Sequence, residues 1–313
     1  MSEKHNGKVI SFINMKGGVG KTTLCREIGY TLNKEYEKSI LFIDIDPQAN
    51  LTQSLYEKFN ILSKNLYDNL SPEEKQNQEY TINDATISKL FNDNKILPEK
   101  NDIIVNLKDN PKISLIPGDL QTVFLERTGN TSTENSLDKF IVRKQILNDF
   151  DYVFIDCPPT YSFYTTTAFN ASDYYIVPVG IDPYSVLGIH LLEQVVKQIQ
   201  DDNFRRFDNK PLKNMGIIFN PLNYTSNTTI KRQFENQKNI IKKSRQLKKY
   251  NLFYFDDQFD YNSKYKETLD YFVIDSNSSS HSSNMKGITQ EFIDRIKYLS
   301  ESTREGLNKW IKK

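Results

Sequence analysis

The sequence predicts an α/β fold: a mostly parallel, twisted sheet flanked by helices. Three observations carry that prediction. Apolar, β-branched runs recur along the chain, as strands buried on both faces require. The first run leads through a glycine-rich loop into a helical pattern, and a second run follows. Acidic residues close such runs, at the strand ends where open α/β sheets bind their ligands.

Lys8–Asn14 is the first strand. It enters Met15-Lys16-Gly17-Gly18-Val19-Gly20-Lys21-Thr22-Thr23, and Leu24, Ile28 and Leu32 then mark one face of a helix. The loop has a physical task. Glycines let backbone N–H groups converge on phosphate oxygens, and the helix adds its positive N-terminal end. Lys21 is placed to neutralise phosphate charge, and the Thr22 hydroxyl to bind Mg²⁺. The usual phosphate-loop string would have glycine at position 15. This chain has Met15 there, and a second lysine, Lys16, after it. Ile40–Ile43 is the next strand, with Asp44 and Asp46 at its end.

The loop resembles the deviant Walker A box, KGGVGKTT, of the ParA/MinD ATPases. Asp44-Ile45-Asp46-Pro47-Gln48-Ala49-Asn50-Leu51-Thr52 is similar to the DxDPQxNxT stretch of the ParA branch, whereas MinD-type relatives usually lack the Pro-Gln. The resemblance implies a deviant Walker A P-loop NTPase that binds ATP and Mg²⁺ on Lys16, Gly17, Gly18, Val19, Gly20, Lys21, Thr22 and Thr23. It implies that Lys16 reaches across a homodimer interface to the partner's nucleotide. It gives Asp46 the attacking water and a share of the hydrated Mg²⁺, and it makes Asp44 a supporting residue. Phe150–Thr160 looks like the family's Walker B strand, so Asp156 would hold Mg²⁺ through water. Lys16, Lys21 and Asp46 are the catalytic candidates; Thr22, Asp46 and Asp156 are the metal candidates. In relatives the end of a later strand contacts adenine, which makes Asn220 and Pro221 candidates for base recognition, with a strand-end turn as the competing reading.

The resemblance runs from Lys8 to about Asn223 and includes Ile113–Gly118 as a middle strand. Residues 56–80 are polar and without a motif, and are expected to be a helical insertion in a single domain spanning 1–313. Beyond Asn223 the match fades: Phe255-Asp256-Asp257-Gln258 stands where ParA proteins commonly show Ile-Pro-Arg, so family DNA contacts do not carry over. Charge fills part of that gap. Residues 231–249 hold eight basic side chains and one acid, Glu235. Lys238, Lys242, Arg245 and Lys249 recur at helical spacing, with Ile230, Phe234 and Ile241 on the core side. That stripe suits phosphate contacts with non-specific DNA. Ser276–Asn284 is low in complexity and expected to be a loop, with His281 at the surface. A packed C-terminal helix is expected over about 286–313, through Ile288, Phe292, Ile296 and Leu299. Its end, Leu307, Trp310 and Ile311 among lysines, looks faintly like an amphipathic tail but reads better as docked on the body.

Composition limits the alternatives. Forty-one Lys+Arg against 40 Asp+Glu exclude global basicity as an argument for nucleic acid. Two cysteines, Cys25 and Cys157, build no disulfide framework and no metal spacing, and Cys157 reads as a structural thiol. No apolar run reaches the roughly 18 residues a spanning helix needs. The chain is therefore expected in the cytoplasm and not at a membrane, and the resemblance implies association with the nucleoid. Seven residues precede the first strand, so reading a centromere site would fall to a ParB-like adaptor. The expected function is an ATP-dependent dimerising switch for DNA partition, most plausibly of a plasmid. Two alternatives share the nucleotide chemistry: a MinD-like membrane-positioning ATPase and a ParA-like positioner of protein cargo. A nitrogenase-reductase-like carrier lacks its paired cluster cysteines here.

Overall fold

The computed structural model describes residues 6–77, 80–91, 96–119, 131–180, 182–208, 210–220 and 228–311. The strands are β1 (Lys8–Phe12), β2 (Ile40–Asp44), β3 (Ile61–Ser63), β4 (Thr81–Asn83), β5 (Val105–Lys108), β6 (Ile113–Ile116), β7 (Tyr152–Asp156), β8 (Tyr174–Gly180) and β9 (Lys213–Asn220). Seven of them form the main sheet in the order β5-β6-β2-β7-β1-β8-β9. All its pairings are parallel except that of the edge strand β5. This is the α/β class read from the sequence.

The helices used below are α1 (Lys21–Tyr36), α2 (Asn50–Lys58), α3 (Lys64–Asn69), α4 (Pro72–Asn77), α5 (Ser136–Arg143), α6 (Phe163–Ala171), α7 (Ser185–Asp202), α8 (Thr228–Lys243), α9 (Arg245–Lys248) and α10 (Ser279–Ile311). Alternate residues of each strand feed opposite cores. Val9, Leu41, Val153 and Val177 pack under α5, α6 and α7 through Phe140, Tyr164, Ala168 and Leu192. Ile10, Phe42, Phe154 and Ile176 pack under α1 and α10 through Leu24, Ile28, Ile288 and Phe292. With both faces covered, the strands tolerate almost no exposed side chain, which explains their continuous apolar runs.

Three expectations need correction. Ser279–Asn284, read as part of a loop, is the first stretch of α10. Serines at a helix start cap rather than break it, and buried Met285 and Ile288 pull the following turn onto the core. The Ser278 hydroxyl lies 2.6 Å from His281 Nδ1, at the start of that helix. The polar segment 56–80 is helical in α3 and α4, but a small parallel pair, β3 with β4, brackets those helices. Ser71 and Glu74 cap α4 reciprocally, each accepting the other's backbone N–H. The basic stripe is not one helix: Ser244 is extended (φ −61°, ψ 123°) and separates α8 from α9. The side chains of Ile230, Leu307, Trp310 and Ile311 lie outside those described.

The segment 262–276 is clamped onto α1, the helix that follows the glycine loop. Arg26 donates to the carbonyls of Leu269 and Tyr271, and its guanidinium lies 4.4 Å from the Phe272 ring centre. Buried Glu27 accepts the Val273 N–H. Asp275 receives Tyr30 Oη, Lys34 Nζ and Lys58 Nζ at 2.7–2.9 Å. Burial alone would raise the Asp275 carboxyl, but the hydrogen bonds from Lys58, Lys34 and Tyr30 outweigh it and hold it at about 2. An unfolded aspartate titrates near about 3.9, so this network stabilises fully above that pH and less as pH falls toward 2. Asp275→Ala should cost roughly 1–2 kcal/mol at pH 7, discounted for partial exposure. Urea denaturation at pH 7 and pH 3 should show the gap between wild type and variant narrowing in acid.

Candidate nucleotide site

The site lies at the carboxyl ends of β1, β2, β7, β8 and β9. Register places Asp44 opposite Asp156 on adjacent strands, and Phe12, just before the loop, opposite Asp156 on the other side. The loop therefore rises from β1 with β7, whose end carries Asp156, on one side and β8 on the other. Gly18 (φ +72°) and Gly20 (φ +89°) take left-handed backbone that favours glycine. A Cβ at Gly17 or Gly18 would meet nothing within 4 Å, so the outer surface of the loop is open. Helix α1 starts at Lys21 with no side-chain cap and no acid in its first turn. Its first N–H groups and dipole thus remain available to an anion.

Lys21 is buried, and its ammonium donates to the Lys16 carbonyl at 3.2 Å. Burial lowers its pKa, while Asp156, Asp46 and Cys157 pull the other way. Asp44 is wholly buried and accepts from the Thr52 N–H (2.8 Å), the Thr52 hydroxyl (2.7 Å) and the Asp46 N–H (3.2 Å). Even so, burial pushes its carboxyl up to about 7, against the Thr52 bonds. Asp46 accepts the Gln48 N–H at 2.9 Å. Asp156 is wholly buried, and neither of its carboxylate oxygens has a hydrogen-bond partner among the described residues. Burial drives it well above the carboxylate range; Asp44 and Asp46 add to this, and the nearby Thr22 hydroxyl and Lys21 oppose it.

Three carboxylates thus gather around one amine. That imbalance, with the orphaned Asp156 beside Thr22, fits a divalent cation. No set of three or more acidic, His or Cys side chains forms a ready cage among the described residues. Mg²⁺ in general keeps several waters and takes one or two carboxylates plus phosphate oxygens, so it does not require such a cage.

Lys16 stands exposed at the rim, 55% accessible, with its ammonium 2.5 Å from Asp182. Asp182 also accepts the Tyr184 N–H and the Ser185 hydroxyl. Burial would raise it, but these bonds and Lys16 hold it below the usual range. Asn14 braces the loop from below: its Nδ2 donates to the Pro178 carbonyl and its Oδ1 accepts the Lys16 N–H. Asn220 is buried under the loop and donates to the Val19 carbonyl at 2.9 Å, a different task from the expected base contact. Pro221 lies outside the described residues. Of the basic residues, Lys242, Arg245 and Lys249 are exposed. Lys238 is half-buried, its ammonium 5.6 Å from the Phe219 ring centre.

Sequence reasoning gave no role to Asp182, Asn14 or Gly118, and quoted Thr52 only as part of a motif. Thr52 joins two turns: its hydroxyl donates to Asp44 and accepts the Gly118 N–H at 2.8 Å. The acid closing β8's loop was the available signal for Asp182.

A sheet of this order with a lysine-flanked glycine loop defines the class: a P-loop nucleotide-binding ATPase fold. The sequence profile of a family described as an AAA domain matches residues 7–210. The chain belongs to this family, and within it to the ParA-type ATPases. It is 30% identical to the sporulation initiation inhibitor protein Soj of Bacillus subtilis over 62% of this chain and 66% of Soj. It is 26% identical to the virulence plasmid ParA family protein pGP5-D of Chlamydia psittaci, over 68% of each. The fold is similar to a plasmid partition protein of Borrelia burgdorferi solved with AMPPNP, with TM-score 0.64 and 21% identity over 93% of this chain and 99% of that one.

Thr52→Val should leave the Gly118 N–H orphaned and strip one donor from Asp44. We expect a loss of about 1–3 kcal/mol in chemical denaturation, with Thr52→Ser retaining most of the stability.

Proposed function

We propose that the chain is an ATP-dependent switch that partitions plasmid DNA. The observation that carries this reading is the contrast between the two loop lysines. Lys21 is buried among the acids, whereas Lys16 projects from the rim on an exposed ion pair worth about 0–1 kcal/mol. Lys16 is cheaply released, as a residue bound for a second protomer's nucleotide must be.

On this reading ATP lies over Gly17–Thr23, with its phosphates on the loop N–H groups, the start of α1 and Lys21. Thr22, Asp46 and Asp156 would hold Mg²⁺, which supplies neutralisation of phosphate charge when bound. Asp46 orients the attacking water, and Asp44 fixes the turn that carries Asp46. Two protomers close face to face, with Lys16 of each neutralising phosphate charge in the other. Hydrolysis proceeds by positioning and charge stabilisation, without a covalent enzyme intermediate. The dimer presents two copies of the basic segment to non-specific DNA, and doubling the phosphate contacts steepens affinity. A ParB-like adaptor would bring the cargo and stimulate release, in the cytoplasm and on the nucleoid. Among the described residues no helix is long and apolar enough to cross a membrane.

Lys21→Ala should abolish ATP binding measured by calorimetry; tight binding by that variant would remove the loop assignment. Asp46→Ala should bind ATP and persist as a dimer in analytical ultracentrifugation, with turnover lost; wild-type turnover would reject its role. Replacing Lys238, Lys242, Arg245 and Lys249 by Glu should spare ATP binding and weaken DNA binding. The slope of log K against log salt should fall by about 0.9 per phosphate contact removed. An unchanged slope would make this segment a merely solvated surface.

A further inference from the structure

We propose that Asn220 is a positioning residue of the phosphate loop, acting through the Val19–Gly20 peptide. The inference deepens the reading of Gly17–Thr23 as a phosphate site and rests on it. Asn220 ends β9, has no exposed surface, and spans 201 positions of sequence to reach Val19. Its Nδ2 donates to the Val19 carbonyl at 2.9 Å. The amide orientation follows from chemistry, because the flipped group would set an oxygen against a carbonyl oxygen, two acceptors with no proton between them.

The contact is intimate as well as polar. A Cβ on Gly20 would lie 2.2 Å from Asn220 Nδ2, so the side chain fills the space that glycine leaves open. A trans peptide is a rigid plane with its C=O and N–H pointing in opposite directions. Holding the Val19 oxygen toward Asn220 therefore aims the Gly20 N–H away from it. That N–H is one of the loop donors that the phosphate reading requires, and Gly20 φ of +89° is the twist that lets it turn. The other amide atom, Asn220 Oδ1, is buried with no partner among the described residues. An unpaired buried carbonyl is a poor way to finish a strand and a reasonable cost for an aimed donor. An adenine edge has no surface of Asn220 to meet in this state, which separates this role from base recognition.

Three ligands resolve the matter: Mg-ATP, Mg-GTP and base-free Mg-tripolyphosphate, each titrated by calorimetry into the full chain and into its Asn220→Asp and Asn220→Ser variants. Asn220→Asp sets a carboxylate against the Val19 carbonyl, and Asn220→Ser shortens the donor below its reach. We expect affinity to fall by the same factor for all three ligands, roughly tenfold or more, with melting temperature near that of wild type for Asn220→Ser. A loss confined to ATP, with tripolyphosphate unaffected, would overturn the proposal in favour of base recognition. Unchanged affinity for all three would reduce the bond to packing. A parallel loss accompanied by unfolding at the assay temperature in both variants would also reject it. Should wild type bind none of the three, the phosphate-site reading itself would fail, a result distinct from any of these.

Discussion

The structure depends on keeping Asp44, Asp46 and Asp156 close together around a single buried ammonium. Like charges in a low-dielectric pocket repel, and burial adds to the cost of ionising Asp44 and Asp156. The raised carboxyls of Asp44 and Asp156 and the lowered Lys21 are three views of that one tension. A site of this kind is incomplete by construction. It retains protons or recruits a cation, and the orphaned oxygens of Asp156 mark where the deficit is greatest. The sheet makes the crowding unavoidable, because parallel neighbours β2 and β7 deliver Asp44 and Asp156 in register.

The rest of the architecture braces the loop against that tension. Asn14 ties it to β8, Asn220 ties it to β9, and Thr52 ties the Asp44 turn to Gly118 beyond β6. On the far face, Arg26 and Glu27 bind the 262–276 segment to α1, and α10 packs over the same core. The C-terminal third of the chain thus bears on the helix whose first turn faces the phosphate position. Strands that are distant in sequence thus converge on the loop.

Much of this was legible in the residues. A strand buried on both faces has to be apolar throughout, so β1, β2, β7 and β8 announce themselves, and glycines with lysines at one strand's end state the loop's purpose. Asp44 and Asp156 were legible for the same reason: each is a charge closing an apolar run. Cross-chain braces were not legible. Asn220 looks like any polar strand end until Val19 is seen against it. The errors have local causes. Ser276–Asn284 has loop composition, yet tertiary burial of Met285 and Ile288 draws most of it into a helix. The basic stripe has helical spacing, yet spacing cannot report the single extended residue, Ser244, that divides it.

That division changes how the basic segment should be understood. On one unbroken helix, four cations would form a rigid line. As built, Lys238 lies over Phe219, the residue just before Asn220, while Arg245 and Lys249 belong to a separate turn beyond Ser244. The segment is anchored along its length, through buried Phe234 and Ile241 in α8 and Leu247 in α9, with Arg245 and Lys249 exposed around that last anchor. The end of β9 therefore carries two adjacent residues with separate partners, Asn220 against the Val19 carbonyl of the loop and Phe219 under the Lys238 ammonium.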